Sequence, residues 1–335
     1  MASNLEWPEW IEKLWWREAW LTIEAAEPAT LPPYLGSTLR GALGHLLRAA
    51  LCEGSGCGHE CQRPDTCRYY SLFEQRRDGA KPFLLLAPPP PGLEEIAMGG
   101  PTNLPYRTGS PCTGESIPRL RCEAEQRFDR GRTLDFGLRL VGLASNALPA
   151  ILEAVARCGL AVGGAQFRLV TARDNWGQLL YDRQLPTVPV QMPAPRRLMI
   201  EKETARLVRI VFLSPTLFKL DRAPTFSPVD FATRFFEHSI GRAAQMHLAC
   251  SGVRPPWIEA PAARAEMVRH RLYHYELPRH SFRQDKWLDF DGVVGYVDLA
   301  GELGTVLPWA RWAEVLHFGQ KAAFGLGKVR VLVLE

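Results

Sequence analysis

The chain lacks any apolar run near the roughly 20 residues that cross a bilayer. Its opening, MASNLEWPEWIEKLWW, has neither the basic start nor the continuous apolar core of a secretory signal, so no membrane partner and a cytoplasmic location are expected. It also lacks a GxxxxGK[ST] loop, which argues against a nucleotide cofactor, and an HExxH pattern, one common frame for a catalytic metal. An excess of one charge is missing too. Lys and Arg number 40 against 36 Asp and Glu, for a net charge of +4. That balance permits a polyanionic partner without demanding one, because nucleic-acid binders concentrate their charge locally.

What is present is ordinary in bulk and ordered in detail. At 335 residues the chain is longer than a typical single domain, so two units with separate cores are expected. Hydrophobic residues at 46% and charged residues at 23% are the values of a soluble globular chain. Proline and glycine interrupt it at APPPPG (87–92), MGGPTNLPYRTGSPCTG (98–114) and LPTVPVQMPAPRR (185–197). The third, with four prolines near the middle of the chain, is the expected linker between a unit at 1–184 and one at 198–335.

Periodicity gives each unit the same plan. In the first, strand-like WWREAWLTIEA (15–25) precedes TLRGALGHLLRAAL (38–51), where Leu39, Leu43, Leu46, Leu47 and Ala50 recur at helical spacing. After a cysteine-rich insertion (about 52–70) come strands at 81–87 and 132–142, a helix at 146–159 and a strand at 165–172. The second unit repeats the order with a strand at 205–213, a helix at 228–249, strands at 267–276 and 293–301, a helix at 307–318 and a strand at 327–334. Twice β-α-β-β-α-β predicts an α+β chain of two tandem ferredoxin-like (RRM-like) domains.

In both copies a glycine-containing stretch joins the last helix to the last strand: GLAVGGAQ (159–166) and GQKAAFGLG (319–327). In the second, Gly319, Gly325 and Gly327 stand with Lys321 and Lys328. Backbone amides and ammonium groups in such a loop can hold phosphates. A tight turn explains the glycines equally well. Charge gathers nearby: residues 254–286 hold seven Lys or Arg against four Asp or Glu. On RHRLYHYE, period two puts Arg269, Arg271, Tyr273 and Tyr275 on one face, which is either an RNA-reading surface of cations and aromatics or a solvated sheet face.

Taken together, these features resemble the RAMP superfamily of CRISPR-associated RNA-binding proteins. The closing HFGQKAAFGLGKV is similar to the C-terminal signature of its precursor-CRISPR-RNA endoribonucleases, the Cas6 family. RHSFRQ (279–284) ahead of DGVVGYVDLAG resembles the basic stretch and hairpin of that family's second domain, and LRGALGHLLRAALC with a cysteine cluster and YYSLFE (69–74) resembles the first domain of one subgroup. The resemblance implies cleavage within CRISPR repeat RNA to give crRNA. Arg279, Arg283 and Lys286 are then expected on phosphate, together with Arg269, Arg271 and the glycine loop.

Metal-independent cleavage of RNA needs activation of a 2′-hydroxyl, a proton for the 5′-oxygen and charge stabilisation on the phosphate. Histidine suits the proton transfers, with an ordinary pKa of ~6.5. His45 lies on its helix opposite the leucines and is expected to face outward, either as the general acid or base that the resemblance implies or as a plain surface residue. Tyr34, in the turn before that helix, is the matching candidate tyrosine. His317, at the start of the glycine loop, is the second candidate, with capping of the preceding helix as its other reading. His238 falls with Phe231 and Phe235 and is expected in the core.

Cys52, Cys57, Cys61 and Cys67 follow C-x4-C-x3-C-x5-C, a set of thiols suited to structural tetrahedral zinc. Unmetallated or redox-active thiols are the other reading. No metal is expected in the chemical step. Two rival functions remain open from sequence: a non-cleaving RAMP subunit that holds crRNA among other Cas effector subunits, and a zinc-stabilised protein-interaction module.

Overall fold

The computed structural model describes residues 8–52, 61, 63, 66–74, 80–102, 106–109, 117–185, 189–199, 204–217, 231–258, 265–281 and 286–335, with backbone alone at 107, 109, 278–281 and 286–289. Among these residues no helix is long and apolar enough to cross a membrane.

The chain opens with a one-turn helix α1 (Glu9–Glu12), then β1 (Trp16–Ala25), β2 (Ala29–Leu31) and α2 (Gly36–Leu51). A single wide turn at Tyr70–Glu74 leads to β3 (Phe83–Leu86), the short α3 (Leu93–Ala97), β4 (Tyr106–Gly109), β5 (Arg119–Cys122), β6 (Gln126–Phe128) and β7 (Thr133–Val141). Helix α4 (Leu148–Cys158), β8 (Leu160–Val162), β9 (Ala165–Arg173) and β10 (Leu179–Asp182) end the first half. The second half holds β11 (Leu207–Thr216), α5 (Phe231–Ser251), β12 (Ala265–Tyr275), β13 (Pro278–Ser281), β14 (Lys286–Asp289), β15 (Gly292–Gly301), α6 (Leu307–Leu316) and β16 (Val329–Val333).

Five strands of the first sheet run β10-β9-β1-β7-β3, with β8 also on β9. Taking only the strands of the repeated plan, the spatial order is β9-β1-β7-β3, fourth-first-third-second, all antiparallel. The second sheet repeats that order as β16-β11-β15-β12. Both are ferredoxin-like arrangements. Alternation along β1 sends Ala19, Leu21, Ile23 and Ala25 into the first core, where they meet Leu39, Leu43 and Leu47 of α2. Those three leucines recur every fourth residue and are wholly buried, each contributing about 1.5–3 kcal/mol through removal from water. Ala50, read onto the same stripe, is exposed.

The chain is not divided as cleanly as the linker suggests. Strands β4 and β5 arise in the first half but extend the second sheet, with β5 parallel to β12 through His274↔Arg119 and Tyr275↔Leu120. Trp10, Trp16 and Leu84 likewise lie in the second core. Trp10 tilts against Trp309 at 6.4 Å, and Trp16 meets Trp312 edge-on at 5.9 Å. The expected linker is strapped to β1: Trp16 and Arg196 exchange both backbone hydrogen bonds, at 3.0 and 2.7 Å, and the Arg196 guanidinium stacks between Trp16 and Trp176.

Candidate nucleic-acid interface

The glycine loop between α6 and β16 turns on positive φ angles: 58° at His317, 80° at Gly319, 61° at Lys321, 80° at Gly325 and 73° at Gly327. A Cβ at Gly327 would lie 1.8 Å from the Phe318 carbonyl oxygen, and one at Gly319 2.6 Å from that of Leu217. Only glycine meets both demands at once.

Four consecutive carbonyls of this loop each accept a hydrogen bond from a different donor. Tyr34 Oη donates to Phe324 (2.7 Å), Ser214 Oγ to Gly325 (2.9 Å), His317 Nδ1 to Leu326 (3.0 Å) and the Phe318 amide to Gly327 (2.7 Å). Several amides are occupied as well. Gly325 donates to Ala322, Gly327 to Pro215 and Lys328 to Ser214 Oγ. The expected cradle of backbone amides is therefore not formed at Gly325 and Gly327, because those donors are used inside the protein. The cations remain. Lys321 lays its ammonium 3.9 Å over the Phe290 ring. Lys328 is half-buried, and burial lowers its pKa, with Glu94 acting in the opposite sense.

The three candidates for proton transfer separate sharply. His317 closes α6 and is 1% exposed. Burial, then the Arg139 and Lys328 charges, holds its pKa well below the ordinary value, so the ring is neutral and donates through Nδ1. Tyr34 is 2% exposed, and burial raises its pKa well above 10. His45 alone of the three is exposed, on the outer face of α2 with Arg48. One turn earlier on that face, a Cβ at Gly41 would meet nothing within 4 Å among the described residues. His238, expected in the core, is exposed with its ring edge-on to Phe318 at 5.9 Å.

The arginine and tyrosine face of β12 is not an open platform. Tyr273 and Tyr275 are buried with Leu93 and Ile96 of α3 and with Tyr106 and Leu120 of β4 and β5. Arg271 donates to Tyr273 Oη (3.0 Å) and to the Gly99 carbonyl. Arg269 stays largely exposed beside the buried Asp298 (3.1 Å), which Arg209 grips with two bonds of 2.7 and 2.9 Å. Arg279 and Lys286 lie on the β13–β14 hairpin, opposite Leu288 and Ser281 in register. Arg283 lies outside the described residues. Sequence alternation identified the face of β12, but nothing in it signalled that α3 covers that face or that two strands from the first half extend the sheet beside it.

Arg139 on β7 and Glu18 on β1 were not foreseen. The guanidinium pairs with buried Glu18 at 2.7 Å and donates to the Glu314 and Val315 carbonyls at the end of α6. Arg242, half-buried with its pKa lowered to about 10 by burial, donates to the Leu316 carbonyl. A cation at a helix C-terminus opposes the macrodipole favourably, and here one of the two comes from the other unit.

Of the cysteines, Cys52 and Cys61 are half-buried and Cys67 is buried, its sulfur accepting from the Tyr70 amide at 3.4 Å. Cys57 lies outside the described residues. Among the described residues no three His, Cys, Asp or Glu side chains gather to hold a metal.

Residues 14–191 match the family model AF_1859_N, described as an N-terminal domain, and residues 210–329 match the model of the CRISPR-associated endoribonuclease Cas6. The match to the Cas6 family thus lies in the second unit. No curated protein matches it. Among solved structures, a Cas6 (TTHB231) product complex superposes with a TM-score of 0.52 at 16% identity, over 95% of this chain and 99% of the other. The Thermus thermophilus Cas6 (TTHB231) gives 0.51 at 14% identity with the same coverage. A partial Cas6-RT-Cas1--Cas2 complex gives 0.52 at 12% identity, over 95% of this chain and 46% of that one. At such identities these likenesses establish the shared fold alone.

Proposed function

We propose that the chain binds CRISPR repeat RNA and cleaves precursor crRNA within its repeats, without a catalytic metal. The 2′-oxygen forms a bond to the scissile phosphorus as the bond to the 5′-oxygen breaks, leaving a 2′,3′-cyclic phosphate. The 2′-hydroxyl proton is lost and the 5′-oxygen gains one. His45 serves as the general acid or base, and cations of the second unit, among them Arg269, Arg279, Arg283, Lys286, Lys321 and Lys328, neutralise the phosphate. The observation that carries this reading is the exposure of His45 on the outer face of α2, while His317 and Tyr34 are sealed within the protein. Tyr34 and His317 accordingly serve structure.

A structural zinc on Cys52, Cys57, Cys61 and Cys67 belongs to the same reading on thiol spacing alone, and would pin the insertion after α2. The repeat RNA and other Cas subunits are the expected partners.

The test is incubation of labelled repeat RNA with purified protein in EDTA, beside a 2′-deoxy substrate and a His45→Ala variant, with the zinc content of the protein measured in parallel. Wild type should cut once, the deoxy substrate should survive, and His45→Ala should slow by about 10²-fold or more. Tight binding with no cutting would instead support a subunit that only holds crRNA. A zinc-free, correctly folded protein would remove the metal from the account.

A further inference from the structure

Tyr34 stands just ahead of the helix that carries His45, yet it faces the second unit. Its hydroxyl donates 2.7 Å to the Phe324 carbonyl. Burial first, and Tyr275 second, keep the phenol protonated, so it is a lasting donor. A glycine from each unit presses on this bond. A Cβ at Gly36, the first residue of α2, would lie 2.0 Å from the same carbonyl oxygen and 2.6 Å from Tyr34 Oη. A Cβ at Gly325, from the loop side, would lie 2.9 Å from Tyr34 Oη and from Ala87 Cβ. The next three carbonyls of the loop are held by donors of the second unit; that of Phe324 is held by the first.

We propose that Tyr34 is a positioning residue: its bond to Phe324 sets the register between the glycine loop and the helix bearing His45. RNA gripped by the second unit thereby meets the imidazole in line. This rests on the cleavage reading above. His45 lies nine residues beyond Gly36, about 13 Å along the axis at the usual helical rise. Leu39, Leu43 and Leu47 lock the inner face of α2, so a shift at its first turn is carried along the helix to His45. Misplacement by about 1 Å is enough to cost up to about 10²-fold in rate.

Tyr34→Phe removes only the hydroxyl. Single-turnover cleavage at saturating protein is expected to slow by about tenfold, with affinity for a 2′-deoxy repeat within about twofold of wild type, as for an interaction felt in the transition state. The pH–rate profile should keep its shape, because the proton still moves through His45. In a His45→Ala background the same change should add little, since both act through one imidazole. Gly36→Ala, which presses on the joint from the other side, should give the same split of rate from affinity.

A Tyr34→Phe protein that melts like wild type and cuts at an unchanged rate overturns the positioning role. So does a slowing that multiplies fully with His45→Ala, and so does an altered profile, which would make Tyr34 a proton-transfer group itself. Should Tyr34→Phe fold poorly, Gly36→Ala decides on the same readouts. If wild type binds repeat RNA and leaves it whole, the cleavage reading fails and takes the positioning role with it. If wild type cuts and His45→Ala is slowed while Tyr34→Phe is not, the positioning role alone is lost.

Discussion

The two ferredoxin-like units place a glycine-rich junction at the same point, between their last helix and last strand, and use it differently. In the first, Gly159, Gly163 and Gly164 take φ of 67°, 61° and 90° on the way into the β8–β9 hairpin, and a Cβ on Gly164 would meet nothing within 4 Å. In the second, the loop from His317 to Lys328 is pressed against the other unit, with Tyr34, Ala87 and Leu85 around Gly325. Glycine at such a junction is thus a backbone requirement of the topology. What distinguishes the second junction is the set of partners fastened to it, and those come from both halves of the chain.

The sharpest way to break that difference is through Arg139. It is the first unit's hold on the end of α6, and it leaves Glu18, itself 2% exposed, paired and hydrogen-bonded to Trp20. Replacing Arg139 with Met strands a buried carboxylate and uncaps two helical carbonyls. A loss of about 3–5 kcal/mol is expected, as for removal of one partner of a buried pair. Denaturant titration reads it, and an effect below about 1 kcal/mol would place the pair among the weak surface bridges.

The glycines give the next comparison. Gly327→Ala adds a Cβ 1.8 Å from a backbone oxygen at φ 73°, and Gly164→Ala adds one in open space at φ 90°. The second substitution should cost about 1–2 kcal/mol, the strain of a left-handed backbone alone. The first should cost upward of about 3 kcal/mol, since the backbone must also move. Equal losses would mean that the second junction is no more tightly held than the first.

Much of this was legible in sequence, and the limits have physical causes. Leucines four apart and strands of alternating burial reveal themselves because period and burial are properties of one segment; α2 and β7 fall within a residue or two of where their patterns put them. The same reasoning failed at Tyr273 and Tyr275. Their face was correctly grouped, but α3 lies over it and β4 and β5 extend the sheet beside it, and these three elements arise between, within and just after stretches read as proline and glycine punctuation. Strand β12 also slips register between Met267 and Arg269, a bulge that alternation does not announce. At the candidate site, the outward face of His45 followed from helical spacing. The burial of His317 and Tyr34 depends on contacts between units, which no local pattern encodes.

His317 provides the finest test of the comparison, because the equivalent helix end of the first unit is Gly159 and carries no titratable group. In the folded protein the imidazole is held neutral by burial and by the Arg139, Lys328 and Arg242 charges, while the unfolded chain protonates near ~6.5. Below that pH the unfolded state therefore binds a proton that the folded state does not, and stability falls as pH falls. Above it the two states bind equally and the contribution is flat. The slope from this one group is at most about 1.4 kcal/mol per pH unit. In His317→Asn, which keeps a side-chain donor, the dependence of unfolding free energy on pH between about 5 and 6.5 should be shallower by up to that amount. A slope identical to wild type would mean that the ring takes up its proton in the fold. The charges of Arg139, Lys328 and Arg242 would then lie further from the imidazole than the fastened junction requires.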